Sequence, residues 1–305
     1  MGDVTVPNFF IVGAPKSGTT ALSVFLSEHP QIFFSDPKEP EYFAKDLKKP
    51  QNWLCGNDFD EYQKLFESAN EKHLVVGEGS VMYMFSKTAI REIYNFNPEA
   101  KLIIIVRNPL DLAYSFHEHL RFDFEEDQGD FAKAWALQEK RKKGLNLPKN
   151  IRNPSYLQYG EVAMLGNQVE KVFNIFPSNQ IKIIVYDDFI KSNRKEYLKV
   201  LKFLGVQDDN RKEFNRYNER LNHKWRGLSV FRRKLPKGMQ NFIRVLNENL
   251  TKLPYGERFG FTNRTKINRK PLPQSLKREM SDFFRDDVKK LSKIINRDLN
   301  YWLCD

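Results

Sequence analysis

Cysteine is scarce in this chain: two among 305 residues, Cys55 and Cys304. Two thiols so far apart exclude a disulfide framework and a zinc site, and a pair of free thiols in a reducing compartment is expected. Long apolar runs are missing too. The longest are about five residues, against roughly 20 for a helix that crosses a bilayer. Asp3 and Pro7 interrupt any basic-then-apolar leader, so a soluble, cytoplasmic protein is expected. Glycine and proline, 15 of each, are too few for a collagen-like or low-complexity chain. With 40% apolar and 29% charged residues the composition is that of a globular protein.

Acidic residues are scarce in one place only. Residues 211–270 hold 17 Lys or Arg against 4 Asp or Glu, whereas residues 1–210 hold 26 against 29. The formal net charge of +11 therefore comes from one segment. Such asymmetry points to a polyanionic ligand or substrate. The aromatics Tyr217, Trp225, Phe231, Phe242, Phe259 and Phe261 leave stacking on single-stranded nucleic acid open, although no zinc-finger, RNA-recognition or homeodomain pattern accompanies them.

Short apolar runs at Phe9–Val12, Leu74–Val76, Leu102–Val106 and Ile181–Val185 are continuous rather than alternating, as in strands covered on both faces. Helical patterns lie between them at 18–28, 58–68, 86–95, 109–121, 129–143, 161–176 and 194–204, and a closing helix is expected over 274–296. The alternation predicts an α/β fold, a central parallel sheet with helices on both faces, and the glycine-bearing turn after the first strand makes the expected architecture P-loop-like and nucleotide-binding. No internal repeat or linker divides the chain. One domain over 1–305 is expected, with 211–270 a basic, irregular insertion or flap near an acceptor cleft.

The first strand runs into Gly13-Ala14-Pro15-Lys16-Ser17-Gly18-Thr19-Thr20. A glycine-bearing turn between strand and helix lets backbone N–H groups converge on a phosphate. A nucleotidase P-loop sets Lys directly after the second Gly, followed by a Mg²⁺-binding Ser or Thr. Here Thr19 follows Gly18 and the lysine stands inside the loop as Lys16. The strand ending at Val106 leads to Arg107-Asn108-Pro109, where an arginine fork suits a phosphate and repels a divalent metal. Ser115, two turns into the next helix, can donate to the same phosphate. Two separate phosphate sites are thus expected, and no metal site. Asp187 and Asp188, after the strand 181–185, keep a Mg²⁺-dependent phosphotransferase open as an alternative.

Pro15–Thr20 resembles the 5′-phosphosulfate loop of the sulfotransferase family, and Arg107-Asn108-Pro109 with Asp111, Ala113, Tyr114 and Ser115 resembles that family's 3′-phosphate motif. The resemblance extends to Lys38-Glu39-Pro40-Glu41-Tyr42-Phe43, to Gly77-Glu78, to Tyr186-Asp187-Asp188-Phe189 and to Arg297–Trp302, and is closest to the bacterial and heparan-sulfate-type branch. It implies 3′-phosphoadenosine 5′-phosphosulfate (PAPS) as donor, PAP as product and no metal. It also implies Lys16 as the group stabilising the departing phosphate, Ser17, Gly18, Thr19 and Thr20 as 5′-phosphate ligands, and Glu78 as the base. His117 and His119 are alternative bases. Tyr186 is expected either at the adenine or in the core. Lys266, Arg269 and Lys270 lie where the family closes a loop over the 3′-phosphate. The acceptor is expected to be a small molecule or glycan, possibly anionic, with a carbohydrate hydroxyl ahead of an amine or a polyketide-type acceptor, and no specific nucleic acid.

Overall fold

The computed structural model of the chain describes residues 6–49, 55–215, 221–223, 264–266 and 271–303. The chain divides into two compact units, Met1–Tyr217 with Leu272–Asp305, and Asn218–Pro271. The first unit is built on β1 (Phe9–Gly13), β2 (Ile32–Phe34), β3 (Val75–Gly79), β4 (Lys101–Val106) and β5 (Ile181–Val185). All four pairings are parallel and the order is β2-β3-β1-β4-β5. In the second unit the described part is an antiparallel pair, β6 (Leu221–His223) and β7 (Arg264–Lys266).

The continuous apolar strands are buried on both faces, as their composition requires. Side chains alternate across the sheet. Phe9, Ile11, Ile103 and Ile105 join one core cluster, while Phe10, Val12, Leu102, Ile104 and Val106 join the other. The first face is covered by α1 (Thr19–Ser27) and, late in the chain, by α10 (Asn193–Leu204), through Leu22, Phe25, Tyr197 and Leu201. In between come α2 (Phe59–Lys64), α3 (Ala89–Phe96), α4 (Pro109–Phe122), α5 (Phe131–Ala136), α6 (Gln138–Lys142), α7 (Tyr159–Ala163), α8 (Leu165–Phe173) and α9 (Tyr186–Lys191). The second face takes residues of α3, α4, α5, α7 and α8, together with the closing helix α11 (Gln274–Ile294). Close packing leaves no room at Gly77, where a Cβ would lie 2.4 Å from the ring of Phe9 on the neighbouring strand.

Three features differ from expectation. β2 is a three-residue edge strand with a half-buried centre, too short to show a period. The third strand is Val75–Gly79, so Gly77, Glu78 and Gly79 lie inside it rather than after it. The helical patterns 129–143 and 161–176 are each two helices, broken at Leu137 and Met164. The second break has a clear cause. Met164 offers no side-chain cap, and the N–H groups of Gly166 and Asn167 instead donate to the carboxylate of Asp287, 2.8 Å each. Asp287 lies on the buried face of α11, beside Phe284, Val288 and Leu291. A helix start is thus capped from 120 residues away.

Removing that carboxylate leaves one buried and one part-buried N–H group without an acceptor. Asp287→Ala is expected to cost about 1–3 kcal/mol, read as a lower urea midpoint, and Asp287→Asn, which keeps one acceptor oxygen, less. An unchanged midpoint would show that water serves α8 as well.

Candidate active site

In this topology β1 is central, its neighbours β3 and β4 being entered from opposite directions along the chain. The carboxyl edge at such a switch point is where open α/β sheets hold ligands. The loop 13–20 leaves β1 there. Ala14 N–H donates to the Ile105 carbonyl of β4 at 3.0 Å, which fixes the loop's first residue. Lys16 and Gly18 take left-handed backbone, φ 58° and 88°. Gly18 is the N-cap of α1 and supplies no side chain, so the first N–H groups of the helix face outward with no acceptor in the helix. Pro15, Ser17 and Thr19 are buried, and Lys16, Gly18 and Thr20 are partly exposed. A Cβ at Gly18 would lie 3.2 Å from the Tyr186 ring, so a bare backbone is needed under that ring.

Arg107 leaves the end of β4. Its Nη1 donates to the Lys16 carbonyl at 2.5 Å, and its guanidinium lies 4.6 Å from the centre of the Tyr186 ring. The two phosphate-binding groups read as separate in the sequence therefore adjoin. Ser115 is buried on α4, two turns on, and Asn108 caps that helix by accepting the Leu110 N–H at 2.9 Å. Tyr186 opens α9, lies against Gly18 and Arg107, and also packs on the core cluster beneath α1. Outward-facing N–H groups in a lysine-bearing loop, with an arginine against an aromatic ring beside them, fit a nucleotide with phosphates at two positions.

Asp187 and Asp188 are engaged elsewhere. Asp187 accepts from the Trp302 indole at 2.8 Å and from the Tyr301 hydroxyl at 3.0 Å. Asp188 holds the Arg297 guanidinium by two bonds, and that contact keeps its carboxyl below the usual range. Their work is to fasten the C-terminal segment to α9, which removes the basis for a magnesium-binding pair. Among the described residues no three His, Cys, Asp or Glu side chains are grouped to hold a metal ion.

Glu78 is fully buried. Tyr83 donates to it at 2.6 Å, Ser80 at 2.9 Å and Tyr62 at 3.4 Å. Burial pushes its carboxyl up to about 7, against the pull of these hydroxyls. A carboxylate so enclosed is closed to an acceptor. His117, one of the alternative bases, is also buried, with its ring between Phe131 and Tyr159. Its Nε2 donates to the Gln128 carbonyl at 2.9 Å, and burial drives its pKa down to about 4. It is a neutral core histidine and does not face the loop. His119, one turn beyond Ser115 on α4, is partly exposed and feels the charge of Lys16. Desolvation first, and Lys16 next, lower its pKa. Lys38 pairs with Glu39 at 2.6 Å, and Glu39 also accepts the Val81 N–H at 3.2 Å.

Of the expected site residues, Lys16, Gly18, Arg107 and Tyr186 are in mutual contact or adjacent, Ser115 and His119 share one face of α4, and Glu78 and His117 lie behind. Arg269 and Lys270 are outside the described residues, as is the side chain of Lys266 in β7. Tyr62 and Tyr83, which enclose Glu78, carried no signal in the sequence, because their hydroxyls meet it only through the fold.

The sulfotransferase domain family matches residues 6–291. The bifunctional heparan sulfate N-deacetylase/N-sulfotransferase 3 of Mus musculus is 30% identical over 204 residues, 66% of this chain and 22% of that protein. The membrane-associated sulfotransferase kil1 of Dictyostelium discoideum is 31% identical over 110 residues, 36% of this chain and 22% of that one. The chain thus spans about a fifth of the length of these relatives. The crystal structure of a sulfotransferase from Alicyclobacillus acidocaldarius superimposes with a TM-score of 0.70 at 26% identity, covering 98% of this chain and 99% of the other. A family match over nearly the whole length, on a sheet whose loops converge as described, means that the chain belongs to the sulfotransferase family.

Proposed function

We propose that this protein transfers the sulfuryl group of PAPS to a hydroxyl of a carbohydrate or glycoconjugate. The observation that carries this reading is the junction of the Lys16 loop with Arg107 under the Tyr186 ring. It suits a nucleotide carrying both a 5′- and a 3′-phosphate. PAPS, when bound, supplies the activated sulfuryl group. The N–H groups and hydroxyls of Ser17, Gly18, Thr19 and Thr20 hold the 5′ end, Arg107 and Ser115 the 3′-phosphate, and Tyr186 packs on the base. Lys16 places its ammonium where charge develops as the sulfuryl group leaves.

The acceptor must lose a proton, and two groups divide the requirements. Glu78 has a pKa near working pH but no access. His119 is partly exposed, with desolvation and the charge of Lys16 lowering its pKa and Asp123, 3.5 Å away, opposing them. Proton acceptance falls to His119, while Glu78 anchors Ser80 and the two tyrosines. The basic segment 211–270 favours an anionic glycan. The end-to-end likeness to the Alicyclobacillus structure favours a bacterial-type enzyme. Few cysteines, with Cys55 a buried thiol, favour the cytoplasm.

PAP without metal is expected to raise the melting temperature, and ATP with Mg²⁺ to leave it unchanged; the opposite pattern would sink the reading. Lys16→Ala is expected to lower turnover about 10²-fold or more. Arg107→Ala is expected to weaken both PAP and adenosine 5′-phosphosulfate, because it also releases the Lys16 carbonyl, whereas Ser115→Ala weakens only the 3′-phosphorylated ligand, as calorimetry can read.

His119→Ala is expected to abolish turnover with PAP binding intact, and Glu78→Gln to retain a measurable rate. The reverse result returns the base role to Glu78. Glu78 also predicts a pH dependence of stability. Its folded pKa, raised from 4.5 to about 7, favours the protonated form, so its contribution is complete below pH 4.5 and is lost as pH rises through 7. Between pH 4.5 and 8 the wild type should lose roughly 3 kcal/mol more stability than Glu78→Gln, measured by urea unfolding at each pH.

A further inference from the structure

Behind the contact between Arg107 and Tyr186 stands Trp302, in a single 3₁₀ turn, Asn300–Trp302, beyond α11. It is 3% exposed. Its indole N–H donates to Asp187 at 2.8 Å, and its carbonyl accepts the Asn108 amide at 2.9 Å. Asn108 follows Arg107 in the chain, and Asp187 follows Tyr186. The two partners lie 194 and 115 positions away, so one residue ties together the neighbours of both nucleotide-binding groups.

Both ends of this bridge are fixed in orientation. Asn108 turns its amide oxygen to the Leu110 N–H at 2.9 Å, which leaves its NH₂ for Trp302. Oδ2 of Asp187 takes the indole and also the Tyr301 hydroxyl at 3.0 Å. Tyr301 is exposed and the Arg297–Asp188 pair beside it partly so, and water weakens such ties. The indole is buried, and its bond to a carboxylate is charge-assisted. The contacts it backs are close. The Tyr186 ring lies 4.6 Å from the Arg107 guanidinium and 3.2 Å from where a Cβ on Gly18 would stand. α9 has six residues, too few to be stable by itself, so its first turn stays where its partners hold it. Phe189 holds it to the core and Asp187 to Trp302.

We propose that Trp302 is a positioning residue for the nucleotide: through Asp187 it fixes the Tyr186 ring against Arg107, and so sets the affinity for an adenine nucleotide with a 3′-phosphate. This inference rests on the sulfotransferase reading and adds a residue to that same site. Groups that bind a ligand must be locked by the neighbours that pack on them and bond to them, to within about 0.5 Å. A lost hydrogen bond to a charged group corresponds to about a tenfold or greater change in affinity.

Calorimetric titration of the full chain with PAP tests it. Trp302→Phe removes the indole donor and keeps the carbonyl that Asn108 uses. It is expected to weaken PAP about tenfold or more. In a Tyr186→Ala background the same substitution is expected to change PAP affinity little, because the group it positions is gone. Asp187→Ala cuts the same bond from the other side and serves if Trp302→Phe does not fold. Asp187→Asn, which keeps an acceptor oxygen for the indole, is expected to retain most of the affinity. An unchanged PAP affinity in both Trp302→Phe and Asp187→Ala, or a loss as large without the Tyr186 ring as with it, overturns the assignment. A wild-type protein that does not bind PAP overturns the sulfotransferase reading itself and this inference with it.

Discussion

One guanidinium joins three strand ends. Arg107, at the end of β4, binds the carbonyl of Lys16 in the loop after β1 and lies against Tyr186 after β5. Within that contact the Lys16 backbone is left-handed, and the first turn of α1 points its N–H groups outward. A charged donor on a backbone carbonyl is worth about 1.5–3 kcal/mol, enough to hold a loop that takes unfavourable dihedrals. The arrangement requires the parallel sheet beneath it, because only β1 at the centre with β4 alongside brings these residues to one edge.

Buried carboxylates organise the rest, and their partners decide what each does. Glu126 takes a bidentate bond from Arg141, at 2.6 and 2.8 Å, and a third from Tyr159, all inside the protein. Asp287 caps a helix. Glu78 is met by three hydroxyls and no cation, so burial prevails and holds its proton up to about 7. Glu41, also buried, has charges around it but no donor upon it among the described residues. The same functional group therefore serves as a structural anchor where it is saturated and is left unsatisfied where no donor reaches it.

Much of this was legible from the chain. The apolar runs at 9–12, 102–106 and 181–185 are short, rich in β-branched residues and nearly continuous, as strands covered on both faces are, and the loop 13–20 announced an anion by its glycines and its displaced lysine. The segments Tyr186–Phe189 and Arg297–Trp302 were both part of the resemblance to sulfotransferases. That they bond to each other, Asp187 to Trp302 and Asp188 to Arg297, was not visible, and it changed the meaning of the two aspartates. His117 and His119 are two residues apart and look alike in the sequence. On a helix that spacing turns one into the core against Phe131 and Tyr159 and the other toward Lys16.

Local chemistry thus determined four of the five strands of the main sheet, most helices, the phosphate loop and the family, because each depends on neighbours within a few residues or on a motif of fixed spacing. Tertiary structure decided the length of β3, the breaks at Leu137 and Met164 and the enclosure of Glu78. Two of those turn on partners that no local pattern announces: Asp287 for α8, and Tyr62 and Tyr83 for Glu78. A carboxylate's protonation and reach follow from what surrounds it in space, and sequence spacing carries no record of that.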